Sequence, residues 1–107
     1  MISETRVEMA VEFLRDTARD YGKARGHQAF CDANLRRVKA LEMVGKEGSL
    51  GDREALAYAS DAYKAAIEAL ENATADAETL RARRDAAEYC IEVWRTETSA
   101  RKQGINL

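Results

Sequence analysis

The chain has 107 residues, a net charge of −2 and no proline, and 34% of its residues are charged. This length predicts one small domain, and the composition is typical of long helices, which excludes a turn-rich β-sandwich or barrel. The nearly balanced charge excludes a bulk electrostatic attraction to nucleic acid or to an anionic membrane. Two cysteines are too few for a disulfide framework.

The predicted elements are a helix, a loop and a second helix, in that order. The first helix is predicted over about residues 4–44, with a capping box of Thr5 and Glu8 at its start and Ser3 as the rival cap. Three glycines within residues 45–51 predict the loop. The second helix is predicted over about residues 50–102, with Ser49 as its N-cap and Gly104 at its end.

A heptad pattern predicts that the second helix is unbroken. Steps of three and four residues from Leu56 to Trp94 meet twelve positions, of which eleven are apolar, and we call this row the seam of the second helix. A break at residues 72–76, where helix propensity is low, would reset this pattern, so we expect none there. The seam positions are Leu56, Ala59, Tyr63, Ala66, Leu70, Ala73, Ala77, Leu80, Arg84, Ala87, Ile91 and Trp94.

The first helix has a looser apolar row, which we call its seam. Gly22 and Gly26 weaken its middle, and we interpret them as a tolerated weak spot rather than as a kink or a point of close helix approach. The seam positions are Val7, Ala10, Leu14, Thr17, Tyr21, Ala24, Gln28, Cys31, Leu35 and Val38.

Charge favours an antiparallel hairpin, because residues 13–39 carry a net charge of +4 and residues 52–78 a net charge of −5. Folding back about residue 48 sets Arg84, the one charged residue of its seam, near residue 12. We therefore expect Arg84 to pair with Glu12 or Asp16, in slight preference to a guanidinium that extends into solvent.

Apolar residues outside both seams require a second partner for the hairpin. Self-association into a four-helix bundle or coiled-coil assembly supplies it, and a homodimer is the simplest form; docking on a different protein is the alternative. These residues are Met9, Phe13, Phe30, Leu41, Tyr58, Ala62, Ala65, Ala69, Tyr89 and Val93.

No residues form a recognisable catalytic, metal or cofactor site, so we predict that the chain is not an enzyme and needs no cofactor. His27 and Cys31 share a helix face, but Cys90 is placed too far along the hairpin to complete a metal site with them. We interpret Cys31 as a small core residue.

Basic residues between Arg81 and Arg95 give an alternative function, direct DNA binding, in which Trp94 would stack on a base. Acidic residues are interspersed at helical spacing, which favours an internally paired, solvated face instead. The candidate interaction residues are Tyr58, Arg84, Tyr89, Trp94 and Arg95.

Three stretches are distinctive: residues 53–63 begin with Arg-Glu-Ala-x-Ala-Tyr-Ala-Ser, residues 80–83 are Leu-Arg-Ala-Arg, and residues 91–95 are Ile-Glu-x-Trp-Arg. They resemble a group of small, helical, largely uncharacterised proteins of tailed phages and prophages. The resemblance implies a non-enzymatic accessory protein that binds a phage or host protein, in phage DNA recombination or replication. It also implies the cytoplasm of the bacterial host, in agreement with the absence of a signal-like or membrane-spanning apolar run.

Overall fold

The computed structural model describes residues 1–104, and within that range it consists of three α-helices and no strand. Helix α1 spans Glu4–Met43, α2 spans Leu50–Tyr58 and α3 spans Asp61–Lys102. The prediction of an all-α fold with a long helix pair is therefore confirmed. The bounds of α1 agree with the predicted helix to within one residue.

Side-chain caps and glycines fix the helix ends. Ser3 caps α1, since its Oγ accepts a hydrogen bond of 3.2 Å from Arg6 N, so the favoured capping box at Thr5 was wrong and the rival cap is correct. Ser49 caps α2 as predicted, accepting from Asp52 N at 3.1 Å. Gly104 follows α3 with a φ of +80°, a conformation that favours glycine, and its N–H donates to Arg101 O.

The second predicted helix is interrupted at Ala59 and Ser60, so the prediction of one helix over residues 50–102 was wrong at this point. The Ser60 hydroxyl donates to Ala57 O at 2.7 Å and accepts from Tyr63 N at 3.1 Å. A serine that bonds the neighbouring backbone in this way ends one helix and caps the next. Residues 72–76, by contrast, are helical as predicted.

The interruption changes which face of the chain is buried. From Tyr63 to Trp94 every position of the second seam is buried or half-buried, which confirms the predicted pattern there. Before the break, Leu56 is 58% exposed and Ala59 is exposed, whereas Ala57 is completely buried. The seam prediction was wrong at these two positions because α2 ends before α3 begins, and each helix buries its own face.

The contacts of the chain fall into two compact units. The first unit joins residues 1–22 to the chain from residue 78 onward, and the second unit is residues 23–77. In the first unit the start of α1 is antiparallel to the end of α3, with Ile2 N donating to Glu97 Oε2 at 2.9 Å. In the second unit Gln28 Nε2 donates to Thr74 Oγ1 at 3.3 Å. A single domain over residues 1–107 stays a prediction.

The core of each unit is made of small side chains. No large side chain among the described residues is fully buried. Small residues at a helix contact let the two backbones approach more closely than the usual separation, so the contact depends on fit more than on buried area. The buried residues are Ala10 in the first unit, and Cys31, Ala57, Ala66, Ala73 and Ala77 in the second.

Replacing Ala66 by leucine tests this close contact. Ala66 is 8% exposed, so the larger side chain would overfill the seam, and we expect the free energy of unfolding to fall by about 1–3 kcal/mol. Ala82→Leu on the exposed face of the same helix is the matched control and should be nearly neutral, because leucine is a good helix former. Equal shifts of the urea midpoint for the two variants would contradict the assignment of Ala66 to the buried face of α3.

The two glycines inside α1 do not mark a point of close approach to other described residues. Helix α1 is continuous through Gly22 and Gly26, both are exposed, and a Cβ at either position would meet no atom within 4 Å. The structure therefore contradicts the close-approach alternative, and the interpretation as tolerated weak spots stays a prediction.

We expect Gly22→Ala and Gly26→Ala each to stabilise the protein by about 0.5–1 kcal/mol, because alanine restricts the unfolded chain and meets nothing in the folded one. Gly45→Ala, by contrast, should destabilise the protein, because Gly45 has a φ of +73°, which strains any residue with a side chain. Urea unfolding monitored by circular dichroism measures all three. Destabilisation by the first two substitutions would show that the space around α1 is occupied.

Candidate interaction surface

Arg84 makes the principal polar contact between α1 and α3 in the first unit. Its Nη1 donates to Leu14 O and to Thr17 Oγ1, each at 2.7 Å, and its guanidinium carbon lies 5.4 Å from the centre of the Tyr21 ring. The expected partners Glu12 and Asp16 are therefore replaced by a backbone carbonyl and a hydroxyl. The physical reason is register, since Arg84 lies opposite residues 14–17 rather than opposite residue 12.

Thr17 positions the Arg84 guanidinium, a role that the sequence analysis missed. Its hydroxyl donates to Phe13 O at 2.6 Å and accepts from Arg84, so the proton of the hydroxyl is directed away from the arginine. The one available signal was a threonine in the seam of the first helix, facing the one arginine in the seam of the second.

Thr17→Val keeps the shape of the side chain and removes the acceptor for Arg84. We expect the free energy of unfolding to fall by about 1–3 kcal/mol, because a half-buried charged donor loses one of its partners. Thr96→Val is the matched control: the Thr96 hydroxyl also donates to the carbonyl four residues earlier, at 3.1 Å, but it is exposed and accepts from no arginine. Equal decreases in the melting temperature of the two variants would show that the hydrogen bond from Arg84 to Thr17 does not stabilise the protein.

An apolar groove runs along the first unit between α1 and α3, and we call it the first-unit groove. Met9 on its α1 side is 64% exposed, and the guanidinium carbon of Arg83 lies 4.9 Å from the centre of the Phe13 ring. Large side chains of α1 therefore face small side chains of α3. The groove is lined by Arg6, Met9, Ala10, Phe13, Arg83, Ala86, Ala87 and Cys90.

The remaining candidate residues of the first unit do not form one cluster with Arg84. Trp94 is a half-buried seam residue, Tyr89 is 71% exposed and Arg95 is exposed. Trp94 lies five positions after Tyr89, which places the two residues on different faces of α3. The two aromatic rings are therefore not arranged to stack on neighbouring bases.

Tyr58 joins the helices of the second unit. Its ring meets the Tyr63 ring edge to face, with the centres 5.1 Å apart, and Lys39 Nζ lies 4.8 Å from the centre of the Tyr58 ring. Lys39 also lies 3.7 Å from Glu54 Oε1. Hydrogen bonding with the Tyr58 side chain, together with the charge of Glu54, raises the pKa of Lys39 above its ordinary value of 10.5. Tyr58 thus has a role inside the protein as well as an exposed edge.

The three arginines at positions 81, 83 and 84 have three different environments. Arg81 lies 3.6 Å from Glu78 and 4.0 Å from Asp85, in agreement with an internally paired face. Arg84 is engaged with α1, as described above. Arg83 covers the Phe13 ring and forms no ion pair with any described residue.

His27 and Cys31 are in contact, with 3.7 Å between Nε2 and Sγ, and the histidine ring stacks on Phe30. Cys31 is buried, as expected of a core residue. Between residues 1 and 104, no group of three or more metal-ligating side chains comes together. Over the same range, no helix has the length and hydropathy needed to cross a membrane.

The chain matches no family model, no curated protein and no solved structure. The resemblance to phage proteins and the location in the bacterial cytoplasm therefore stay predictions.

Proposed function

We propose that the chain is a non-enzymatic interaction protein that forms a homodimer and binds a phage or host protein of DNA recombination or replication. One observation carries the proposal: the core is built from small residues, while eleven large apolar side chains are 45–75% exposed. Where such side chains are contiguous, the apolar surface that they form is typical of protein interaction sites. The phage setting is supported by the sequence resemblance alone.

The exposed apolar residues of the second unit support self-association. Phe30 and Leu41 lie on one side of α1 by their spacing, Val44 directly follows the last residue of that helix, and each of the three is more than half exposed. A two-fold pairing of this face would bury the same side chains from both copies. We call these three residues the Phe30 face.

Direct DNA binding is the alternative function, and the contacts of the basic region give it less support. Arg84 donates to α1, Arg81 is paired with carboxylates, and Trp94 is half-buried. Each of these residues would have to leave a contact inside the protein to meet a phosphate or a base. Only Arg83 and Arg95 remain as exposed arginines of the region without a carboxylate within ion-pair distance among the described residues.

Light scattering at micromolar concentration tests the homodimer, and we expect about twice the chain mass. Phe30→Ser/Leu41→Ser should give the mass of one chain, because it removes apolar area from the Phe30 face. Met9→Ser, at a comparably exposed residue of the first unit, should remain dimeric. A wild-type chain that stays monomeric would contradict self-association.

A mobility-shift titration with duplex DNA across a salt series separates the two functions. We expect no complex, because Arg81 and Arg84 are engaged within the protein. Binding through phosphate contacts would be recognised by an affinity that falls steeply as salt rises. A complex that weakens with salt, and that Arg83→Glu/Arg95→Glu abolishes, would support the DNA-binding alternative instead.

A further inference from the structure

We infer that the first-unit groove binds an acidic amphipathic helix of another protein. The inference rests on the proposed function, since it assigns a partner to one surface of an interaction protein. Three features of the groove support it: its apolar lining, the two arginines beside it, and the distance between them.

The lining of the groove suits a row of inserted side chains. Met9 and Phe13 project from the α1 side, whereas Ala86 and Ala87 leave space on the α3 side. Met9 is largely exposed and Phe13 is half-buried. A partner that fills the space beside the alanines would remove these two large side chains from water, which favours binding.

Two arginines supply charge that the protein itself does not balance. Neither Arg6 nor Arg83 has an acidic residue three or four positions away on its own helix. Neither forms an ion pair with any residue from 1 to 104, in contrast to Arg81. An apolar groove flanked by two unbalanced positive charges is complementary to an apolar surface that carries carboxylates.

The positions of the arginines define the spacing of those carboxylates. Arg83 lies over the Phe13 ring, and Arg6 precedes Phe13 by seven residues of α1, which is roughly 10 Å along the helix axis. A partner helix with two acidic residues one heptad apart would meet both arginines. The same helix would present its apolar side chains between them, on the same face.

A second copy of this chain does not fit the groove in a two-fold arrangement. Pairing the groove with itself would set arginine against arginine in either orientation, and like charges brought together in this way oppose association. The groove and the Phe30 face are therefore assigned to different partners.

The experiment uses the full chain and two synthetic peptides of about 20 residues, long enough to form a helix. One peptide carries leucines on one face and two glutamates a heptad apart; the other has lysines in place of the glutamates. Fluorescence anisotropy of the labelled peptides measures affinity. We expect the wild-type chain to bind the glutamate peptide about tenfold more tightly than the lysine peptide, with a difference that shrinks as salt is added.

Arg6→Glu/Arg83→Glu should invert this preference, because both charges of the groove change sign. Arg19→Glu/Arg95→Glu is the matched control: it changes the net charge by the same amount at exposed arginines outside the groove lining, and should keep the wild-type preference. Met9→Ser should weaken binding of both peptides, and Leu41→Ser should weaken neither. Circular dichroism melting of each variant establishes that it is folded.

Equal affinity of the wild-type chain for the two peptides would overturn the inference, as would inversion by the control variant. Conversion of a dimer to a monomer by Arg6→Glu/Arg83→Glu would overturn it in favour of a contact between copies. The wild-type chain could be a dimer that Phe30→Ser/Leu41→Ser dissociates and yet bind the two peptides with equal affinity. That result would refute the groove assignment and leave the proposed function standing. A monomer that prefers the glutamate peptide would support the groove and contradict homodimerisation.

Discussion

Contact between small side chains is the constraint on which the structure depends. Where α3 meets α1 in the second unit, the buried residues are three alanines and one cysteine. Such a contact holds helices close together, but it leaves no room for the large apolar residues of the chain. Those residues therefore lie half-buried along the seams or exposed, mostly outside the seams. The exposed apolar surface is thus a consequence of a core made of small side chains.

Polar contacts then specify the register of the helices, which the alanines alone define only weakly. A row of alanines has almost the same shape in neighbouring registers, so apolar fit alone discriminates poorly between them. The bond from Arg84 to Leu14 O and Thr17 Oγ1 is directional, and it is satisfied only when these residues lie opposite one another. In the second unit the Tyr58, Tyr63 and Lys39 contacts fix the place of α2 in a similar way.

The all-α fold and the seam of the first helix were predictable because each depends on a pattern repeated along the chain. The loop was predictable because three glycines lie close together in it. The break at Ala59 and Ser60 was missed because it depends on one hydroxyl, and the apolar positions on its two sides happen to continue the same heptad count. Arg84 contacts α1 as predicted, but its partners are Leu14 O and Thr17 Oγ1 and not the predicted carboxylates. Its register against α1 follows from where the chain turns back, and a shift of a few residues exchanges a carboxylate for a threonine. The groove could not be foreseen, since no single helix contains it.

The small core also affects how the protein responds to temperature. The heat-capacity change of unfolding grows with the apolar area that becomes exposed, and a buried methyl group contributes far less area than a buried leucine or phenylalanine. A chain whose large apolar residues are already in contact with water in the folded state gains little further exposure when it unfolds. The plot of its free energy of unfolding against temperature should therefore be less curved than that of a chain of the same length with large buried side chains. A partner that covers the exposed residues would increase the apolar area that unfolding exposes. The curvature of the free energy of unfolding with temperature is then a property of the complex and not of the chain alone.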